Sequence, residues 1–104
     1  DQRQELSNAC GGEKFVAGAA LDIVIVAVYG RTTWRYGNRG IRYVDMEAGH
    51  IAENIQLQAV SLGLGSVTVG AFNDETIKKL LSLSADQQPI YIIPAGYPAP
   101  VKNK

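Results

Sequence analysis

The chain has 104 residues, 46% of them apolar and 19% charged, which fits one small globular unit and excludes a disordered chain. Ten basic residues balance ten acidic ones, which excludes a strongly basic nucleic-acid module and an acidic tail. Cys10 is the single cysteine, so the chain can form neither an internal disulfide nor a cysteine-based metal site, and an unpaired thiol fits a reducing, cytoplasmic compartment.

The first residues, 1–5, are too polar for a signal peptide, and they lack an initiating Met, which fits a processed or cut product. Residues 2–10 read as a helix end stopped by Gly11 and Gly12. Residues 21–29 are nearly continuously apolar and rich in β-branched side chains, which predicts a strand covered on both faces. The wider apolar run, 15–29, is too short to cross a membrane and contains Asp22. A loop is expected over 30–40, punctuated by Gly30, Gly37-Asn38 and Gly40.

The strongest periodicity runs over 43–64. Val44, Ala48, Ile51, Ala52, Ile55, Ala59 and Leu62 recur at helical spacing and predict one face of a long helix, with Asp45 and Glu47 in its first turn. Met46, Leu57, Val60 and Leu64 lie off that stripe, which predicts a second buried face and hence a partner subunit or a missing segment. Gly63 to Gly65 should end the helix. A short strand follows over 66–69, then a helix over 75–82 capped by Asn73 or Asp74, and a last strand over 89–94. The expected order is α-β-α-β-α-β around a long central helix.

Candidate chemistry is sparse. Gly63, Gly65 and Gly70 are not a nucleotide loop, because they close a helix and open a strand, and Ala71 stands where a P-loop needs Lys. Gly70-Ala71 reads as a tight turn or as a place where backbone approaches a flat ligand. Arg31, Arg35, Arg39 and Arg42 fall within twelve residues that contain no acid, with Trp34 and Tyr36 among them. They suit either an anion-facing site or a solvated segment paired to acids elsewhere. His50 lacks the companions of a metal site and is expected as a hydrogen-bonded packing residue, and no base stands beside Cys10 in the sequence.

Residues 29–37 (Tyr-Gly-Arg-Thr-Thr-Trp-Arg-Tyr-Gly) and 42–54 (Arg-Tyr-Val-Asp-Met-Glu-Ala-Gly-His-Ile-Ala-Glu-Asn) resemble the nitroreductase superfamily, and within it the SagB-type thiazole/oxazole dehydrogenases. The likeness continues through 62–72, 80–83 and 92–98, in family order and spacing, and covers the C-terminal half of the family domain. It implies a partial α+β nitroreductase-like fold, FMN at a homodimer interface, and hydride transfer between NADH or NADPH, the flavin and a small-molecule substrate. It implies no metal, nucleic-acid or membrane partner.

The resemblance also assigns residues. The segment Val69-Gly70-Ala71 would run beside the flavin ring, and Lys102 and Lys104 stand where basic residues reach the FMN phosphate. Arg35-Tyr36 aligns with a Lys-Tyr pair of azoline-oxidising members. Arginine stays protonated and cannot act as a base, so Tyr36 and Arg35 are expected as proton donor and substrate clamp. The alternatives are a non-catalytic remnant that keeps the dimerising fold without flavin, and an anion-binding module built on the arginines.

Overall fold

A computed structural model of the chain describes residues 1–99. The order is α1 (Arg3–Ala9), α2 (Lys14–Gly18), β1 (Leu21–Ala27), α3 (Gly30–Tyr36), α4 (Arg39–Ser61), β2 (Gly65–Ser66), α5 (Asp74–Leu80) and β3 (Gln88–Gly96). The long helix is as the sequence predicts, but the order departs from the expected alternation: α2 and α3 are additional, and the strand expected over 66–69 is reduced to Gly65–Ser66. Among the described residues, no helix is long and apolar enough to cross a membrane.

The three strands form one antiparallel sheet in the order β1-β3-β2. Its register pairs Ile23 with Ile93 and Val24 with Ile92. Because side chains alternate along a strand, Val24 and Ile92 point to one face and Ile23 and Ile93 to the other. The first face carries the main core: Leu6, Cys10, Val16, Val69 and Ile77 close around Ile92. Ile77, Val16 and Ile92 are fully buried, and truncating such a side chain to Ala costs about 2–5 kcal/mol. α4 crosses the opposite face, with Ala48, Ala52 and Ala59 buried. β1 is the edge strand of this sheet; as the run of apolar residues suggested, it has protein on both faces, the main core through Val24 and α4 on the other side, although most of its residues are only half-buried.

The helix ends follow local chemistry. α1 and α4 both finish on a glycine with positive φ, Gly11 at 75° and Gly63 at 76°. After α4, Leu64 N–H reaches back to Ala59 O at 2.8 Å and Gly63 N–H to Val60 O at 3.0 Å, which satisfies carbonyls the helix leaves free. Asn73 caps α5, its side chain accepting from Thr76 N–H at 2.9 Å, and its own N–H donates to Ala9 O, which ties α5 to α1.

The expected loop over 30–40 is helical. Of its three glycines only Gly37, at φ 63°, breaks the chain. Gly40 lies inside α4, where a Cβ would sit 3.0 Å from the Thr33 Cα. Its lack of a side chain lets α3 pack against α4, and this close approach, not a turn, is what the glycine serves. α4 consequently starts at Arg39, so Arg39 and Arg42, and not Asp45 and Glu47, occupy its first turn. His50 is exposed and makes no hydrogen bond among the described residues, unlike the packing role expected of it.

Candidate functional site

The connection between β2 and α5 runs along the edge of the central strand. Val69 is buried and exchanges two backbone hydrogen bonds with Ile92, at 2.8 and 3.0 Å. Gly70 and Ala71 follow immediately and are exposed. Among the described residues their amide N–H groups have no acceptor. A Cβ on Gly70 would meet only Tyr91 ring carbons, at 3.6 and 3.9 Å, which is ordinary contact. The fold itself does not demand glycine there. The strip offers two free donors and no side chain in the way of a flat ligand.

A second group lies at the junction of α3 and α4. The Arg35 guanidinium carbon sits 5.6 Å from the centre of the Tyr36 ring. Tyr36 meets Tyr43 edge to face, with ring centres 5.4 Å apart at 86°. The Arg39 guanidinium carbon lies 6.0 Å from the Tyr43 ring centre, and Arg39 Nε donates to the Tyr43 hydroxyl at 3.2 Å. Two cations thus bracket two edge-to-face rings across the Gly37 turn. Trp34 beside them is 77% exposed. The one salt bridge among the described residues joins Arg3 to Asp1, so Arg31, Arg35, Arg39 and Arg42 are not paired to acids as a solvated segment would have them.

Of the residues singled out in the sequence, the structure brings Arg35 and Tyr36 together, and Val69, Gly70 and Ala71 together. No hydrogen bond or stacking contact joins the two groups. Lys102 and Lys104 lie outside the described residues. A cavity of about 770 Å³ between Arg3, Phe15, Val67 and Tyr97, and an apolar groove of about 440 Å³ between β1 and α4, contain neither group.

The structure adds polar features with no clear sequence signal. Tyr29, just after β1, donates its hydroxyl proton to Asp45 on α4. Burial, the hydrogen bond and the charge of Asp45, and the charge of Asp74 push its hydroxyl pKa up to about 12, so Tyr29 stays protonated. These residues share no periodic spacing, and only the crossing of α4 over β1 unites them. On the other face, both carboxylate oxygens of Asp22 are buried without a hydrogen-bond partner. Burial raises its pKa, against an opposing effect of Arg3. The Cys10 thiol is raised by its own burial first, then by Asp22 and Glu13, which makes it a poor nucleophile.

Residues 1–97 match the Nitroreductase family. A protein of Methanocaldococcus jannaschii whose name places it among the nitroreductases is 47% identical over 92 residues, covering 88% of this chain and 46% of that protein. The chain therefore spans less than half the length of that relative. A crystal structure from Anabaena variabilis, also named as a nitroreductase, superposes with TM-score 0.86 at 30% identity, covering 91% of this chain and 20% of that one. NfrA1 of B. megaterium shares the fold at TM-score 0.86 and 22% identity, over 99% of this chain and 47% of its own. A family match over residues 1–97, a 47% identical relative and a shared mixed helix and sheet fold lead to one conclusion: the chain belongs to the nitroreductase family.

Proposed function

We propose that the chain is the C-terminal half of an FMN-dependent oxidoreductase of the nitroreductase type, from the SagB-like branch. The observation that carries this reading is the strip at Gly70 and Ala71, where two exposed amides have no acceptor among the described residues. A flavin ring needs donors along its pyrimidine edge and an open approach for its face, and the strip fits both needs. When bound, FMN supplies two-electron hydride chemistry between NADH or NADPH and an organic substrate. The chain's own part is to bind and orient. Gly70 and Ala71 donate backbone hydrogen bonds, Val69 anchors them to β3, and Lys102 and Lys104 attract the phosphate.

Tyr36 and Arg35 serve the substrate. Tyr36 is 52% exposed and offers a hydroxyl proton. Arg35 holds a permanent positive charge beside it, so it clamps an electron-rich group and does not remove a proton. This favours reduction with proton delivery over oxidation that needs a base, and it sets the chain apart from azoline-oxidising relatives.

The assembly is a homodimer in the cytoplasm. α4 leaves Met46 (53%), Leu57 (59%) and Val60 (73%) exposed along one long helix, a cost in water that a second copy removes. The test is FMN titration of the purified chain, read by flavin fluorescence. The expected result is saturable binding that Gly70→Val weakens at least tenfold while the circular dichroism spectrum is unchanged. No flavin binding rules out catalysis by this chain alone and favours a remnant without cofactor, and equal binding by the variant removes the Gly70–Ala71 strip from the flavin site.

A further inference from the structure

We propose that the α3–α4 junction selects planar anionic substrates, namely aromatic rings that carry a carboxylate or phosphate. The inference rests on the reading of Arg35 and Tyr36 as substrate-facing, and it names the substrate class. Residues 23–44 contain no acid, yet they contain four arginines in a chain whose net charge is zero. None of these arginines is in a salt bridge among the described residues. Arg35 and Arg39 are instead satisfied from one side, by the faces of Tyr36 and Tyr43 at 5.6 and 6.0 Å.

A guanidinium carries five N–H donors. Arg39 spends one of them on the Tyr43 hydroxyl, and Arg35 spends none within the described residues. Each guanidinium thus sits beside a ring and keeps N–H donors that have no partner among the described residues. Such donors match the two oxygens of a carboxylate or phosphate. The rings between them, already edge to face at 5.4 Å, provide a surface for a further aromatic ring. A neutral substrate would use the rings alone, whereas an anionic one would also use the charges.

Trp34, the single tryptophan, lies next to Arg35 and is 77% exposed, so its fluorescence reports on this junction directly. The experiment titrates the chain with 4-nitrobenzoate and with 4-nitrobenzyl alcohol, which share a ring and differ in charge. The expected result is saturable quenching about tenfold tighter for the anion, with the difference shrinking at high salt because the charges are solvent-exposed. Arg35→Gln with Arg39→Gln should abolish the difference, and the double Lys variant should keep only part of it, because lysine retains charge but not the planar fork. Equal affinity for the two compounds, no saturable binding of either, or an unchanged preference in the Gln variant overturns the proposal.

The assay needs no flavin, so it separates this proposal from the functional reading. Anion preference without flavin binding keeps the site and removes the oxidoreductase. Flavin turnover with equal kcat/KM for both nitro compounds keeps the oxidoreductase and removes the site's selectivity.

Discussion

Asp22 gives the sharpest prediction about stability. It interrupts the apolar strand β1, and both its carboxylate oxygens are buried with no partner. Arg3, the cation whose charge acts on Asp22, is already committed: it donates to Asp1 at 2.7–3.2 Å and to Ala19 O at 2.6 Å. Burial accordingly raises the Asp22 pKa above its ordinary value of 3.8. The folded state then holds the proton more tightly than the unfolded chain does. This contribution to stability is fully present below the unfolded pKa and is lost as pH rises through the folded value. Above that value the native state carries an unpaired buried charge. Leaving a buried polar group unpaired costs about 1–3 kcal/mol, with charged groups at the upper end. Asp22→Asn keeps the shape and removes the titration. Urea unfolding followed from pH 4 to pH 8 should show the variant more stable than the parent by about 1–3 kcal/mol at neutral pH. The two should converge toward the acid end of the series, as the parent's carboxyl protonates in both states. Parallel stability curves, or a parent that is the more stable at neutral pH, would refute the reasoning.

Other consequences follow from single positions. Ser82 ends α5 with φ at 54°, a conformation that favours glycine, so Ser82→Gly should raise the unfolding free energy by about 0.5–1 kcal/mol in chemical denaturation. Asn73→Ala removes the cap from α5 and should lower it by about 1 kcal/mol, with faster amide exchange at Thr76 as a local signature. Val60→Asp places a charge on the open face of α4; sedimentation should show a dimeric parent and a monomeric variant whose circular dichroism matches it.

How much of this was legible beforehand depended on the kind of signal. The long helix was readable because Ala48, Ala52 and Ala59 repeat at helical spacing and are in fact the buried residues. The edge strand β1 is readable from β-branched density, and the α4 end from Gly63. The sequence suggests a loop at α3 because Gly30 and Gly40 look like turn residues; Gly40 serves a backbone approach of 3.0 Å that no local pattern encodes. The start of α4 was placed late for the same reason, since its first turn carries arginines in place of the apolar stripe. Ile51 and Leu62 belong to that stripe yet remain exposed, because they border the groove between β1 and α4 and not a filled core. Gly70-Ala71 was recognisable as a small-residue strip, but its free amides depend on the bridge from Val69 to Ile92, a pairing between distant residues. The ring and guanidinium ladder likewise exists only because two helices fold back on each other.

Participation of the chain in flavin-based reduction is open to a direct spectroscopic test. The chain is loaded with FMN, reduced anaerobically by NADH or NADPH, and mixed with a nitroaromatic compound while the visible flavin absorbance is recorded. The account predicts bleaching of the band by the nicotinamide and its recovery on adding the nitro compound, both lost in Gly70→Val. A flavin band that never forms, or one that forms and is not bleached by either nicotinamide, would contradict it.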